Sequence, residues 1–344
     1  MDEEIREAPP VVAVVVVHRP GEWFDAVLDA HAAQDYPNLR YLFLLTGDDP
    51  DVRIETETRI RMRLPSAFVR ALEANPGFGV AANEVLRLVD GDNGFFLVCQ
   101  DDAAPDPGAI RLLVEEIFRS NAGAVGPKLV DWDDPSVLQS VGLGLDRFGE
   151  IDQPIEPGEV DQEQHDGVRD VFVLPSAMLL VRADLFRQLG GFDPAIDFHG
   201  EDLEFCWRVH LSGARVVVAP TARARHRAGL VERRPQLAHA TLAARHRVRA
   251  VTTLTGAARL PGRLLELVLL TIGEFVVGVF TGQVRSALAS LRAVFGIVLR
   301  VPSIIRRRRE VASIRRVPER EILGLQERGS ARLSAHLRSR QTAT

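Results

Sequence analysis

Several residue types are scarce in this chain, and each shortage excludes a class of protein. Two cysteines, Cys99 and Cys206, occur in 344 residues, each inside an apolar pattern. We therefore expect buried free thiols in a reducing compartment and no disulfide framework. No glycine-rich loop follows the first apolar run, which ends at His18-Arg19-Pro20-Gly21. That absence excludes the usual dinucleotide-binding oxidoreductase.

Basic charge is also unevenly distributed. Lys128 is the single lysine, so arginine supplies nearly all positive charge. Residues 1–230 contain 21 basic and 40 acidic residues, a net charge of −19, whereas residues 231–344 contain 21 arginines and 7 acidic residues, a net charge of +14. Two regions of opposite sign predict an acidic catalytic domain over 1–230 and a basic helical region over 231–344 that suits an anionic surface.

The first part of the chain alternates strand and helix patterns. Val11 to Val17 predicts a buried strand, Trp23 to Gln34 a helix, and Tyr41 to Leu45 a second strand. This order favours an α/β fold with a mostly parallel sheet. We expect one helix over Val80 to Val89 and a last strand over Arg215 to Ala219, ended by Pro220.

Residues 131–170 differ in composition from the alternating strand and helix segments before them. They are rich in Asp, Glu, Gly and Pro and include an acidic run from Glu156 to Asp166. Such a composition is typical of an excursion from the sheet, and we expect a mobile flap over the site.

Two adjacent carboxylates, Asp101 and Asp102, follow the buried strand pattern of Phe95 to Val98. Ligands of open α/β sheets bind beyond the carboxyl ends of strands, and carboxylates there need a cation. We predict a divalent metal ion, Mn²⁺ or Mg²⁺, that holds a phosphate ester. His226, beyond the last predicted strand, is a candidate third ligand, although a lone histidine is more often structural.

A second group of acidic residues, Glu201, Asp202 and Glu204, lies in the first turn of the helix predicted to begin at Glu201. Acids in a first turn are stabilised by the helix dipole, which is the simpler explanation. The same dipole keeps a carboxylate ionised, as a general base requires, and Gly200 removes side-chain bulk just before it. The helix pattern ends at Leu211 before Gly213.

Taken in order, these segments resemble the inverting family-2 glycosyltransferases, which have a GT-A fold. The resemblance covers roughly Val11 to His226. The segments that carry it are VVAVVVVHRP, QDYPNLRYLFLL, NPGFGVAANEVL, QDDAAPDPGAI, GPKLVD and GGFDPAIDFHGEDLEFCWR. The sequence departs from the family at Gln100, where the first acid of the metal motif is expected, and at Leu45-Thr46-Gly47, where an aspartate usually contacts the base.

The resemblance implies a chemical role for each part of the site. Asp102, with Asp101, would hold the metal ion on the diphosphate, and Asp202 would be the base that deprotonates the acceptor hydroxyl. Glu201 and Arg208 would position acceptor and base. The further residues that we assign are His18, Arg19, Asp48, Gly77 and Asn83 for the nucleotide, and Pro175, Ser176, Ala177, Gly200, Trp207 and Arg208 for the sugar and acceptor pocket.

The basic region contains an apolar hairpin over 264–301. Leu264 to Phe280 includes Glu266 and Glu274 and spans roughly 26 Å as a helix, less than the ~30 Å bilayer core. Arginines flank the apolar runs, which favours a hairpin that enters and leaves one membrane face. The alternative is a helical hairpin packed on the first domain. The few aromatics here lie inside the apolar runs, which disfavours nucleic-acid binding.

We therefore expect a metal-dependent, inverting glycosyltransferase at the cytoplasmic face of the plasma membrane. The resemblance implies a nucleotide-diphosphate-sugar donor and a glycan or lipid-linked acceptor of cell-envelope polysaccharide or glycolipid synthesis. No QxxRW motif follows Arg208, so few additions per encounter are expected. Two alternatives remain open at this point: a sugar-nucleotide pyrophosphorylase, and a membrane-recruited sugar-nucleotide-binding module without catalytic activity.

Overall fold

The structure, a computed structural model, describes residues 8–280, 284–296 and 298–327. The strands are β1 Val11–Val17, β2 Leu39–Thr46, β3 Phe68–Leu72, β4 Phe95–Gln100, β5 Ala103–Pro105, β6 Ala124–Asp131, β7 Leu138–Ser140, β8 Gly144–Leu145, β9 Ile151–Asp152, β10 Arg169–Asp170, β11 Met178–Arg182 and β12 Val216–His226. The helices are α1 Trp23–Ala32, α2 Pro50–Arg63, α3 Phe78–Ala82, α4 Val85–Leu88, α5 Ala109–Arg119, α6 Ala183–Leu189, α7 Glu201–Leu211, α8 Leu230–Arg233, α9 His239–Leu254, α10 Leu260–Phe280, α11 Val284–Phe295, α12 Val301–Ile314 and α13 Glu319–Leu325, with a 3₁₀ turn at Val298–Arg300.

Within these residues, ten strands form one mixed sheet whose main path runs β10-β12-β6-β11-β4-β1-β2-β3. β1 lies between β2 and β4 and is parallel to both, while β11 is antiparallel to β4 and β6. Alternate residues of β1 enter two apolar cores, Val14 and Val16 on one face and Val15 and Val17 on the other. A valine-rich strand covered on both faces is what its sequence predicts. The expected α/β class is confirmed.

Two predicted elements have wrong bounds, and one helix was missed. The last strand does not end at Pro220, because a bulge between Ala219 and Arg223 accommodates the proline and β12 continues to His226. The single helix expected over Val80 to Val89 is instead the pair α3 and α4. Helix α2 was not predicted, because it buries only Thr56 and Ile60 and is otherwise polar.

The excursion over residues 131–170 is tied to the sheet. Lys128, on β6, is 2% exposed. Its ammonium group lies 2.9 Å from Asp161 Oδ2 and also contacts Asp166. β7 pairs with β6, and β8 pairs with β9. The segment expected to be a mobile flap is therefore a packed excursion with a buried ionic anchor.

Packing does not change at the predicted domain boundary of residue 230. Helix α9 contributes Ala250, Val251 and Leu254 to the same core that contains Phe205 and Cys206 of α7. α10 packs on α11, α11 packs on α9, and α12 packs on both α9 and α7. Among the described residues, no helix combines the length and apolarity needed to cross a membrane.

Candidate active site

A cavity of about 580 Å³ opens beyond the carboxyl end of β4. Residues from seven places in the chain line it: the end of β4, the turn between β8 and β9, the loop before β11, the first turn of α7, the end of β12, the start of α8, and one face of α9. It brings together seven of the residues singled out from the sequence: Pro175, Ser176, Ala177, Gly200, Glu201, Asp202 and His226. On the α9 side the wall is formed by three small residues, Ala240, Ala243 and Ala244, and by Arg247.

The first turn of α7 presents two carboxylates to this cavity, buried Glu201 and half-buried Asp202. Gly200 precedes them with a φ of +90°, which favours glycine. Asp202 Oδ1 accepts a 2.8 Å hydrogen bond from the Leu203 N–H. Glu201 Oε1 accepts one of 2.9 Å from the Ser176 hydroxyl, which in turn accepts a 3.1 Å bond from Gln100 Nε2. This chain of hydrogen bonds fixes Glu201 relative to the end of β4.

Burial controls the ionisation of this pair. Loss of solvent, together with the charge of Asp202, raises the pKa of Glu201 to about 7. Burial also raises the pKa of Asp202, although the N–H groups of Leu203 and Ser176 favour its ionised form. Glu201 therefore exchanges a proton with solvent near neutral pH, and the raised pKa of Asp202 makes its carboxylate a stronger base than a free aspartate.

The second acidic pair, Asp101 and Asp102, lies in the turn after β4 and is buried. The His18 N–H donates to Asp101 Oδ2 at 2.8 Å, and the Gly229 N–H donates to Asp102 Oδ2 at 3.0 Å. The guanidinium of Arg233, on α8, bridges the two carboxylates: its Nη1 lies 2.8 Å from Asp101 Oδ1 and its Nη2 lies 3.1 Å from Asp102 Oδ2. The expected cation at this position is, in this structure, an arginine.

The two aspartates differ in ionisation. Burial raises the pKa of Asp101 to about 6 against the opposing effect of Arg233. Burial alone would also raise the pKa of Asp102, but His226, Arg233 and the Gly229 N–H together lower it to about 2. Asp102 is therefore ionised at neutral pH.

The donor atoms around Asp102 suit a hard divalent ion, although they are not assembled around one. Asp102 Oδ1 is buried and has no hydrogen-bond partner within the described residues. His226 Nε2 lies 3.5 Å from that oxygen, and its ring is oriented by Gln139 Oε1, 2.6 Å from Nδ1. In the part of the chain that the structure describes, no three histidine, cysteine or carboxylate side chains converge as metal ligands.

A smaller cavity of about 70 Å³ adjoins the first and shares Gln100, His199, Glu201 and Leu230 with it. His18 lines this cavity: its Nδ1 lies 2.9 Å from the Thr46 carbonyl oxygen and its Nε2 lies 2.7 Å from Arg234 Nη2. Its other polar walls are Asn75, Asp101 and Arg233. This concave, polar space beside the carboxylates is where the structure places the predicted nucleotide-binding residue His18.

The sequence pattern of one family, described as glycosyltransferase like family 2, matches residues 9–257. That match includes both cavities. The chain belongs to glycosyltransferase family 2. The match extends 27 residues past the domain boundary predicted at residue 230, in agreement with the continuous packing of α9.

Among relatives of known activity, the chain is similar to the N-acetylglucosaminyl-diphospho-decaprenol L-rhamnosyltransferase of Mycobacterium tuberculosis. The identity is 27% over 257 residues, which cover 69% of this chain and 81% of that protein. The pre-mycofactocin glycosyltransferase of the same species is 27% identical over 152 residues, which cover 43% of this chain and 30% of that protein.

Solved structures of glycosyltransferases share the fold. The mannosyltransferase PcManGT from Pyrobaculum calidifontis, in complex with GDP-Man and Mn²⁺, matches with a TM-score of 0.50 and 15% identity over 90% of this chain and 86% of that one. GalNAc-T7 with UDP, GalNAc and Mn²⁺ matches with a TM-score of 0.52 and 14% identity over 63% of this chain and 43% of that one. The expected GT-A fold class is thereby confirmed.

Some predicted site residues of this family member do not line either cavity. Trp207 packs its ring against Phe172, with centroids 5.6 Å apart, and is 2% exposed. Arg208 is fully buried, pairs with Glu204 and donates to the Leu189 and Gly191 carbonyl oxygens. Their assignment to the acceptor pocket is wrong. Both residues come after the first turn of α7, and their side chains are buried in the core.

The nucleotide assignments need similar corrections. The Asn83 amide is bonded to both the N–H and the carbonyl oxygen of Phe192, so it fastens a loop and lines neither cavity. Arg19 and Asp48 pair with each other at 3.5 Å on the surface, outside the smaller cavity. Gly77 has a φ of +99°, and a Cβ there would collide with the Asp197 carbonyl oxygen, so this glycine is required by packing.

Sequence reasoning missed Arg233 and Arg234, which are the basic side chains of the smaller cavity. The sequence assigned both arginines to the basic region over 231–344 and not to the site. Their position in the sequence could have indicated this role. They come soon after His226 and the last strand, so the chain there passes the carboxyl ends of the strands, where Asp101 and Asp102 lie.

Proposed function

We propose that this chain transfers a sugar from a nucleotide-diphosphate-sugar to an acceptor hydroxyl, with inversion, in a single displacement. One observation carries the proposal: Asp202 and Glu201, whose pKa values are both raised, lie at the wall of the large cavity. Glu201 also lines the adjoining smaller cavity, together with Asp101 and two arginines. A base and a polyphosphate site in adjoining spaces are the two parts that glycosyl transfer requires.

In this mechanism each residue has a defined task. Asp202 takes the proton of the acceptor hydroxyl as its oxygen attacks the anomeric carbon. Glu201, held by Ser176, orients the acceptor and shares the proton with Asp202. His18 and its neighbours receive the nucleotide. No protein nucleophile is needed, because inversion takes one displacement.

Asp101, Asp102 and His226 would hold a divalent ion, Mn²⁺ or Mg²⁺, for which the unpartnered buried Oδ1 of Asp102 is the best local support. Such an ion would neutralise the departing nucleoside diphosphate. Arg233 has to withdraw from between the carboxylates before an ion can bind both of them.

The proposed acceptor is lipid-linked and belongs to cell-envelope synthesis. Support comes from the mycobacterial relative, whose name gives a sugar-diphospho-decaprenol as its substrate. The large cavity is compatible with an apolar chain, because the small residues Ala240, Ala243 and Ala244 leave an open wall along α9.

We also propose that the α10–α11 region lies on the cytoplasmic face of the plasma membrane. Helix α10 exposes one apolar stripe at helical spacing: Leu265, Leu269, Ile272, Val276 and Phe280. The stripe is roughly 22 Å long. Arg306 and Arg309 are exposed on α12, which follows α11 in the chain, and exposed arginines would add attraction to an anionic bilayer surface.

The membrane proposal predicts sedimentation with phosphatidylglycerol vesicles that weakens as salt rises. The double variant Leu269→Glu/Ile272→Glu should remain in the supernatant. Ile54→Glu, at an equally exposed apolar position on α2, is the control and should sediment like the wild type. Equal sedimentation of all three proteins would refute the proposed surface.

Asp202→Asn tests the catalytic proposal. Sugar transfer and donor hydrolysis, screened with uridine, guanosine and thymidine diphosphate sugars and Mn²⁺, should fall by roughly 10²- to 10⁴-fold. Donor binding, measured by thermal shift, should persist. Asp184→Asn is a matched control, because Asp184 also accepts the N–H of its following residue at 2.8 Å in the first turn of a helix. Near wild-type transfer by Asp202→Asn would refute the base assignment, and a wild-type protein that binds donors without turnover would be a binding module.

A further inference from the structure

A buried network of charges lies beneath the helix that carries the proposed base. Glu204 follows Asp202 by two residues and is fully buried. It pairs with Arg208 on its own helix, with Nη2 to Oε2 at 2.6 Å. It also pairs with Arg307, whose Nη2 lies 2.8 Å from Glu204 Oε1 and which comes from α12, 103 residues further along the chain.

A second buried carboxylate extends the network to α9. Asp193, in the loop before α7, receives Arg249 of α9 with Nε to Oδ2 at 2.8 Å, and Arg307 Nε lies 3.5 Å from the same oxygen. Arg249 Nη1 lies a further 3.1 Å from Ser303 Oγ on α12. These contacts lower the pKa of Asp193 despite its burial and raise the pKa of Arg307.

The network has a particular place in the chain. Helix α9 precedes the α10–α11 pair, and α12 follows it. Each flanking helix therefore contributes one arginine to this network, Arg249 from α9 and Arg307 from α12. The carboxylates that they contact precede and follow Asp202 in sequence. Buried charges are expensive to separate, so α7 cannot shift without α9 and α12.

We infer that Arg307 is a positioning residue for the proposed reaction: it fixes the first turn of α7, and with it Glu201 and Asp202, against the helices that carry the apolar stripe. The inference rests on the proposed function. It assigns a catalytic consequence to a residue of the C-terminal region that touches neither cavity.

The chain offers a matched control in the neighbouring residue. Arg308 also anchors α12 to α9, since its Nη1 donates to the Thr252 and Thr255 carbonyl oxygens at 2.6 and 2.9 Å. It has no contact with Glu204 or Asp193 among those described. Arg308→Met therefore weakens the same docking without changing the network beneath α7.

The test compares donor hydrolysis by Arg307→Met, Arg307→Lys and Arg308→Met over a range of pH, in the full chain. Arg307→Met should lower kcat roughly tenfold to a hundredfold with little change in KM for the donor. The acid limb of its pH–rate profile should move to higher pH. Glu204 lies one helical turn from Glu201, at i and i+3, and in this variant its negative charge has less compensating positive charge. A smaller folded fraction lowers the rate but does not move this limb.

Arg307→Lys retains the charge without the forked contact and should give an intermediate kcat with a nearly unchanged acid limb. It also keeps the inference testable if Arg307→Met does not fold. Arg308→Met should keep the wild-type kcat and acid limb. The inference is overturned if Arg307→Met or Arg307→Lys behaves like the wild type, or if Arg308→Met reproduces the Arg307 effects. Each of these results leaves the Asp202→Asn test of the proposed function intact.

Discussion

Removal of the Ser176 hydroxyl should change the pH dependence of the reaction in a calculable way. The hydroxyl donates to Glu201 Oε1 at 2.9 Å, and burial already raises the pKa of Glu201 to about 7. A hydrogen bond to a charged acceptor contributes about 1.5 kcal/mol, and one pKa unit corresponds to about 1.4 kcal/mol. Ser176→Ala should therefore raise this pKa by about one unit.

The sign follows from the protonation state of the base. Below the pKa of Glu201, the proton of Glu201 is shared with Asp202. A smaller fraction of Asp202 is then free to accept the proton of the acceptor hydroxyl, so activity falls as pH falls. With a pKa near 8 instead of 7, the ionised fraction at pH 7 drops from about one half to about one tenth, a loss of about fivefold in rate. At pH 9 the variant should nearly match the wild type.

The assay is the rate of donor hydrolysis or transfer from pH 5.5 to 9.5 at saturating donor. Ser212→Ala is the control, because the Ser212 hydroxyl donates to the Val209 carbonyl oxygen at the opposite end of α7. Its acid limb should coincide with that of the wild type. An unchanged acid limb in Ser176→Ala would show that the Glu201–Asp202 pair does not control the reaction.

Three further outcomes are expected. Arg233→Ala should bind Mn²⁺ more tightly than the wild type in calorimetry, because its guanidinium lies between Asp101 and Asp102. Chelation with EDTA should abolish transfer, and added Mn²⁺ or Mg²⁺ should restore it. Lys128→Met should lower the free energy of unfolding by about 3 kcal/mol in urea titrations, since it leaves the carboxylate of Asp161 without its buried partner.

A different result in each of these three experiments would contradict a specific part of the proposal. Weaker Mn²⁺ binding by Arg233→Ala would show that the arginine supports the ion site and does not compete for it. Transfer that is unaffected by EDTA would remove the metal role from both aspartates. A Lys128→Met protein as stable as the wild type would show that the excursion is held by its apolar contacts alone.

The sequence predicted the parts of this protein whose structure is set locally. The valine run of β1 and the apolar run of β4 are long enough to specify buried strands, and the carboxyl ends of neighbouring strands meet at one edge of the sheet. That geometry is why Asp101 and His226 could be grouped from sequence although they are far apart in the chain. Asp202 was assigned to the same site by the resemblance to family-2 glycosyltransferases.

Other features depend on contacts that no local pattern specifies. Trp207 and Asn83 lie close in sequence to cavity residues, yet one faces the core and the other fastens the Phe192 loop. Arg233 meets Asp101 across 132 residues, and Arg307 meets Glu204 across 103. Because arginines of the basic region could have faced a membrane or solvent equally well, only the packed structure distinguishes those that close the site from those at the surface.

The central claim is a single displacement at the anomeric carbon with Asp202 as the base. It is tested most directly by determining the anomeric configuration of the transferred sugar by proton NMR, with any donor that the wild type accepts. The proposed mechanism predicts a configuration opposite to that of the donor. A product with the donor's own configuration would contradict it, because retention requires a mechanism other than one direct displacement by the acceptor.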